Sequence, residues 1–128
     1  MSENTAKIAY RLGAICYAVW GVLHILAALS IYQLGAEQTA GLVQGRLYQG
    51  GWNMLYLALF SIIVAVGFNW RNSWLGYWLN LFTVSATDIG FIAFVLLPGY
   101  STDILGPILW ILGVIFSTIG ILKAPRTA

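Results

Sequence analysis

The sequence predicts an all-α membrane protein in which four transmembrane helices form an antiparallel up-down bundle with both termini in the cytoplasm. Hydrophobic residues make up 60% of the chain and charged residues 8%, whereas a soluble domain carries about a quarter charged residues. Four runs of the chain approach or exceed the roughly 20 apolar residues that a helix needs to cross a bilayer core of about 30 Å. Residues 1–128 are therefore predicted to form a single four-helix domain.

The four predicted helices are separated by glycine, proline and polar residues, which favour turns. We expect them at about 9–33, 48–68, 74–97 and 105–122. The first run has a cationic start, with Lys7 and Arg11, which is also a feature of a cleaved secretory signal, but about 25 apolar residues are long for such a segment. Transmembrane strands would alternate apolar and polar residues over about ten positions, and these runs do not.

The cations predict the orientation of the four helices, because Lys and Arg concentrate on the cytoplasmic side of membrane proteins. Five cations fall on one side of the predicted bundle: Lys7, Arg11, Arg71, Lys123 and Arg126. The opposite side holds Arg46 with Glu37 and Asp103. Both termini are therefore predicted to be cytoplasmic.

Polar residues inside the predicted helices indicate a site in the outer half of the membrane. At 1.5 Å per residue, His24, Asn53 and Asp88 come from three different helices to a layer roughly 8–14 Å below the outer boundary. An ionisable side chain near the bilayer centre costs about 2.5–3.5 kcal/mol, so such groups normally face a bundle interior or a cavity. We interpret His24 and Asp88 as a candidate catalytic acid–base pair. Hydrogen bonding between helices is the alternative interpretation.

Five further residues are predicted to line this site and bind a ligand. Arg46, Gln49, Asn53 and Tyr56 follow the spacing of three to four residues that places side chains on one helical face. Trp20 shares a face with His24 in the first helix. Together they predict a polar, aromatic-lined pocket that opens outward, although Arg46 also fits an interfacial anchor that extends toward the headgroups.

Small residues in the fourth helix predict close packing. Gly106, Gly113 and Gly120 recur every seven residues, and small side chains let helix backbones approach one another in membranes. This seam fits packing within one chain or between the subunits of a homo-oligomer.

Several kinds of site are excluded by the composition. One Cys and one His cannot supply the usual ligands of a zinc or iron–sulfur site within one chain. A net charge of +2 without a basic patch argues against nucleic acid as a partner. The sequence identifies no cofactor. It does not exclude haem, because His24 is a candidate axial ligand with aromatic neighbours.

Three short stretches, at His24, at Asn53 and at 88–91 (Asp-Ile-Gly-Phe), resemble the arrangement in styrene oxide isomerases, small four-helix membrane enzymes that hold haem b. The positions that match the haem-ligating His and the substrate-facing Tyr of that family are Leu47 and Ile92 in this sequence. The resemblance therefore assigns no role to any residue.

Two classes of function follow from the predicted pocket. The first is a membrane enzyme or binding protein that holds a small lipophilic molecule against His24 and Asp88. The second is a proton-coupled transporter or channel made of several copies, in which Asp88 titrates. An accessory subunit of a membrane complex is a third interpretation. The inner halves of the predicted helices carry few polar residues, which favours the first class.

Overall fold

The computed structural model describes residues 2–125, which form four long α-helices joined by short connections. They are α1 (Glu3–Ala36), α2 (Leu42–Gly67), α3 (Trp74–Phe91) and α4 (Leu105–Lys123). A 3₁₀ turn at Asn69–Arg71 follows α2, and a π-helical segment at Ile92–Leu96 prolongs α3. All four helices, taken with these extensions, are long and apolar enough to cross a membrane. The prediction of an all-helical chain with four such helices is confirmed, while Arg126 lies outside the described residues.

The first two helices begin several residues before the apolar runs from which they were predicted. α1 starts at Glu3, because the Ser2 hydroxyl accepts a hydrogen bond from the Thr5 N–H at 3.2 Å and caps the first turn. α2 starts at Leu42 rather than at about 48. A run of apolar residues marks only the part of a helix that suits lipid. Polar turns beyond that part lie in water and continue the same helix without a free-energy cost.

The end of α3 differs in its hydrogen bonding from the predicted continuous helix. The Leu97 N–H donates to the Ile92 carbonyl at 2.9 Å, and the Tyr100 N–H donates to the Val95 carbonyl at 2.9 Å. These bonds join residues five apart, which is the π-helical spacing and is often found at functional sites. Gly99 then takes a positive φ of 80°, a conformation that glycine adopts without strain.

The turn between α2 and α3 is tied to the end of α4 by one side chain. Asn72 adopts the left-handed conformation with φ 57°, which asparagine tolerates better than most residues. Its Nδ2 donates to the carbonyls of Gly120 at 3.2 Å and Pro125 at 2.9 Å. The next residue, Ser73, caps α3 by accepting a hydrogen bond from the Gly76 N–H.

Helix α1 packs along α2 and α4 through small residues. A Cβ added at Gly21 would lie 2.8 Å from the Ala58 carbonyl oxygen of α2, and one added at Gly13 would lie 2.7 Å from the Ser117 nitrogen of α4. At such distances the two backbones leave no room for a side chain. Helix α3 completes the structure against α2 and α4.

The glycine seam of α4 faces α1 of the same chain. Gly113 lies against the ring of Tyr17, and Gly120 lies against Tyr10. At Gly106, nearer the start of α4, a Cβ would lie 3.2 Å from His24 Cε1. The seam therefore brings α4 close to α1 and places one glycine beside the predicted acid–base pair.

Candidate functional site

Asp88 belongs to the face of α3 that is turned into the protein. Every fourth residue on this face is buried: Gly76, Asn80, Val84 and Asp88. A spacing of four residues keeps side chains close to one line along a helix. The Asp88 side chain is 0% exposed, so its carboxyl group depends on protein partners for hydrogen bonding.

Trp20 of α1 supplies one of these partners. Its Nε1–H donates to Asp88 Oδ2 at 3.0 Å, and its side chain is fully buried. A buried indole N–H is normally hydrogen-bonded, because leaving it unpaired costs free energy. The residue predicted to contact a ligand therefore holds the carboxyl group in place.

His24 lies one turn beyond Trp20 and stacks on it. The two ring centroids are 3.7 Å apart with an angle of 22° between the planes. The distance from His24 Nδ1 to the Trp20 carbonyl oxygen is 2.7 Å. A carbonyl oxygen can accept but not donate, so Nδ1 carries a hydrogen and Nε2 is the nitrogen left to face Asp88.

The two ionisable groups meet at a distance just beyond a hydrogen bond. His24 Nε2 lies 3.6 Å from Asp88 Oδ1, and this oxygen has no hydrogen-bond partner among the described residues. A neutral ring with its hydrogen on Nδ1 presents a lone pair at Nε2, which would repel a carboxylate. The geometry therefore favours one proton held between His24 and Asp88, on either side of the pair. We call these two residues the outer pair.

A cavity of about 580 Å³ adjoins the outer pair, within the range of about 300–1,000 Å³ that is usual for small-molecule sites. It lies between α1, the end of α3, the start of α4 and the connection between them. Most of its walls are apolar, and its polar residues are His24, Ser30, Thr87, Ser101 and Asp103. The cavity is polar at the end beside the outer pair and apolar elsewhere. This distribution suits a lipophilic molecule that carries one polar group.

Gly106 separates the outer pair from this cavity without filling the gap. It lines the cavity, and a Cβ at this position would lie 3.2 Å from His24 Cε1 and 3.8 Å from Asp88 Oδ1. Because glycine has no side chain, the edge of the His24 ring stays within reach of a molecule in the cavity, while Asp88 is fully buried and is not part of the cavity wall. Gly106 thus has a part in the site that the sequence did not reveal.

The four residues of α2 that were predicted to bind a ligand are not brought to the cavity. Arg46, Gln49, Asn53 and Tyr56 lie on the exposed side of α2. The Arg46 Nη1 donates to Gln49 Oε1 at 2.9 Å, so these two side chains bind each other. The residue that α2 contributes to the cavity wall is Met54.

Sequence reasoning missed several residues of the cavity wall. Ser30 follows His24 along α1, on the face that also holds Ala27 and Leu34, and following that face outward would have found it. Thr87 precedes Asp88 in α3. Ser101 and Asp103 lie in the connection before α4, where no periodic pattern indicates which side chains face inward.

A second group of buried polar residues lies in the other half of the bundle. Asn80 Nδ2 donates to Asn69 Oδ1 at 2.9 Å and to the Ser61 carbonyl at 3.2 Å. Ser61 Oγ donates to the Tyr17 carbonyl at 3.4 Å. We call Ser61, Asn69 and Asn80 the inner network. It is more extensive than the sequence indicated, because the contribution of the turn at Asn69 was not foreseen.

An apolar layer separates the inner network from the outer pair. Tyr17, Trp20, Ala65 and Val84 form a cluster whose members are all 0% exposed. Val84 lies one turn from Asp88 and one turn from Asn80 on the same face of α3. The two polar regions are therefore not joined by hydrogen bonds through this layer.

The surroundings of His24 do not fit an axial haem ligand. An iron ligand needs one ring nitrogen directed at open space above a flat macrocycle. Here Nδ1 binds the Trp20 carbonyl, as the second nitrogen of a ligating His usually does, but Nε2, the nitrogen left for iron, faces Asp88 Oδ1 at 3.6 Å. Across residues 2–125, no group of three or more His, Cys, Asp or Glu side chains could hold a metal ion.

No protein family model, curated protein or solved structure matches this chain.

Proposed function

We propose that this chain is a multi-pass membrane protein that binds a small lipophilic molecule beside the outer pair and acts on it by acid–base chemistry. One observation carries the proposal. His24 lines a largely apolar cavity beside Gly106, and its Nε2 faces the buried, unpaired Asp88 Oδ1 at 3.6 Å. A pair of titratable groups beside a largely apolar cavity is the arrangement expected of a binding or catalytic site.

The proposal includes an antiparallel bundle with both termini in the cytoplasm. The packing pairs between α1 and α4 support it, because Gly13 meets Ser117 while His24, later in α1, meets Gly106, earlier in α4. Between α1 and α2, Gly21 meets Ala58 and Gly35 meets Tyr48, again in opposite order. Lys7, Arg11, Arg71 and Lys123 then share one side of the membrane, the cytoplasmic side by the positive-inside rule.

The chemistry that the outer pair supports is proton transfer. With one proton between them, one member can donate to an oxygen of the bound molecule while the other accepts a proton from a neighbouring carbon or oxygen. The Trp20 N–H on Oδ2 and the Trp20 carbonyl on Nδ1 fix the orientation of both groups. A ligand with a hydroxyl or carbonyl group at one end of an apolar body would meet the pair with that end.

The apolar layer favours binding over conduction. A proton path across the membrane would need a continuous chain of polar groups or water between Asp88 and the inner network. Val84 and Ala65 lie in that layer, and the Tyr17 hydroxyl in it pairs with Ser117 Oγ rather than with either region. We therefore prefer a site that opens on one side of the membrane to an oligomeric transporter or channel.

Photolabelling tests the binding part of the proposal. The chain in lipid nanodiscs would be irradiated with a long-chain alkyl alcohol that carries a diazirine, and the labelled residues mapped by mass spectrometry. We expect labels on cavity residues such as Leu23 and Pro107. Ala27→Phe fills the cavity and should remove these labels, whereas Ala86→Phe, on the exposed side of α3, should leave them. Labels confined to exposed residues, or unaffected by Ala27→Phe, would contradict the proposal.

Isotope exchange tests the acid–base part. Lipophilic molecules that remain bound after purification would be extracted after incubation of the protein in D₂O, and their masses compared with those from Asp88→Asn. We expect the wild type to introduce deuterium at a carbon-bound position and the variant to bind the same molecules without doing so. Equal exchange by both proteins would contradict the acid–base part of the proposal and leave only the binding part.

A further inference from the structure

A second cavity lies toward the other end of the bundle and shares no lining residue with the cavity beside the outer pair. It has a volume of about 300 Å³, and we call it the lower groove. Its residues are Ala14, Ile15 and Ala18 of α1 with Ala65, Val66 and Trp70 from α2 and the turn after it. Alanines form its floor, since Ala14 and Ala65 are 2% and 0% exposed, and Ile15 and Val66 are exposed at its edges.

A cation lies beside Trp70, one of the residues that line the lower groove. The guanidinium carbon of Arg11 lies 5.0 Å from the ring centroid of Trp70, within the range of a cation–π interaction. Arg11, Ala14 and Ala18 share one face of α1 by their spacing. The Nε of Arg11 is buried and has no hydrogen-bond partner among the described residues, so the guanidinium is positioned without being neutralised.

The charges around Arg11 leave this end of the groove positive. Lys7 is exposed and lies one turn before Arg11 on the same face, which adds a second cation. Glu3 lies one further turn away, at the beginning of α1. No ion pair of Arg11 or Lys7 with an acid occurs in the described part of the chain. Trp70 and Arg11 mark the level at which aromatic and cationic side chains meet lipid headgroups.

We propose that the lower groove binds one anionic phospholipid, with an acyl chain along the alanine floor and the phosphate against Arg11. The distance from Arg11 to Ala18 along α1 is about 10 Å, enough for the upper part of an acyl chain. A guanidinium binds phosphate through two parallel hydrogen bonds, and Arg11 has donors to spare. This inference is independent of the ligand in the other cavity, because it uses neither His24 nor Asp88.

Native mass spectrometry of the chain in mild detergent tests the headgroup contact. The probes are dioleoyl phosphatidylglycerol, dioleoyl phosphatidylcholine and inorganic phosphate, each titrated separately. We expect one phosphatidylglycerol to bind about tenfold more tightly than phosphatidylcholine, the effect of one charge-assisted contact. Free phosphate should not bind measurably, because it lacks the acyl chain. Equal affinity for both lipids, or binding of phosphate alone, would overturn the proposal.

Charge variants locate the contact. Arg11→Gln should remove the preference for phosphatidylglycerol, and Arg11→Lys should keep part of it, since a lysine retains the charge but not the paired donors. Arg46→Gln is the matched control, because Arg46 is an exposed cation at the opposite end of the bundle. A loss of preference in Arg46→Gln equal to that in Arg11→Gln would show nonspecific attraction and overturn the assignment.

A groove variant tests the acyl chain separately from the headgroup. Ala18→Leu places a larger side chain in the lower groove, and we expect it to weaken both lipids several-fold while their ratio is kept. Ala86→Leu on the exposed side of α3 serves as its control. The far-UV circular dichroism of every variant would be compared with that of the wild type to check that it is helical. If Arg11→Gln is not helical, the lipid preference of Arg11→Lys tests the headgroup contact instead. Unchanged lipid binding in Ala18→Leu would overturn the groove as the site.

Discussion

The outer pair and the inner network are each built on one residue of the same face of α3, Asp88 and Asn80, two turns apart. They differ in whether their members are ionisable and whether they reach a cavity. In the inner network Asn80 Nδ2 donates two hydrogen bonds, while Asn80 Oδ1 is buried without a partner among the described residues. No member is ionisable, and none lines either cavity described above. In the outer pair one carboxyl oxygen binds Trp20 and the other faces His24 across 3.6 Å beside a cavity. Each region thus holds one buried oxygen without a hydrogen-bond partner among the described residues, but only in the outer pair does a member, His24, line a cavity that a ligand can enter.

Two glycines of the same seam give the largest expected difference between the regions. At Gly120 a methyl group would overlap Cβ of Tyr10, which cannot move without moving the α1 backbone. We expect Gly120→Ala to destabilise the chain by about 2 kcal/mol through overpacking. Gly106→Ala, near the outer pair, meets His24 Cε1 at 3.2 Å and should cost less than about 1 kcal/mol.

Thermal unfolding in detergent, followed by tryptophan fluorescence, would measure both glycine variants. Gly90→Ala is the control, since a Cβ there would meet nothing within 4 Å. If Gly106→Ala were as destabilising as Gly120→Ala, the outer region would be as tightly packed as the inner one, and the comparison would fail.

The next largest effect is expected in the inner network. Asn80→Ala removes the donor to Asn69 Oδ1 and to the Ser61 carbonyl, which should cost about 1–2 kcal/mol. Thr87→Val is the matched change in the cavity wall. The Thr87 hydroxyl donates to the carbonyl of Thr83 in its own helix at 2.9 Å, and its loss should cost less than about 0.5 kcal/mol. The same unfolding assay compares them, and a larger loss in Thr87→Val would reverse the ranking.

A small change in stability is also expected for Asp88→Asn. The amide oxygen can still accept from Trp20, and the amide N–H can donate to His24 Nε2, so we expect a loss below about 1 kcal/mol. The proton of the pair is nevertheless removed. Because the chain contains one histidine, ¹⁵N NMR of histidine-labelled protein reports on His24 alone. We expect a neutral ring with hydrogen on Nδ1 in the variant and a shifted Nε2 resonance in the wild type. Identical spectra would show that Asp88 and His24 share no proton.

The sequence predicted the number of helices and the proximity of His24 to Asp88. Both predictions rest on distances along the helices. A bilayer sets how many apolar residues a helix needs, and the rise per residue converts sequence position into depth. The depth of each residue in the membrane could not show that the Trp20 N–H binds the Asp88 carboxyl group. This hydrogen bond depends on how α1 is rotated about its axis relative to α3.

The direction in which α2 faces could not be predicted from polarity. The spacing of Arg46, Gln49, Asn53 and Tyr56 shows that they share a face, but not which way that face is turned. The buried face of α2 carries Gly51, Ala58, Ser61, Val64 and Ala65. In lipid, close packing rather than hydrophobicity selects the inner face of a helix, so small residues were the better guide.

The unequal lengths of α1 and α4 have a consequence for how the cavity is reached. α1 has 34 residues and α4 has 19, so at 1.5 Å per residue they are about 51 and 28 Å long. A hydrocarbon layer of about 30 Å matches α4 and leaves the outer turns of α1, which form one wall of the cavity, at the height of the headgroups. A thicker bilayer would surround this wall with lipid tails, and a thinner one would expose it to water. We therefore expect bilayer thickness to set whether molecules enter the cavity from the lipid or from the aqueous phase.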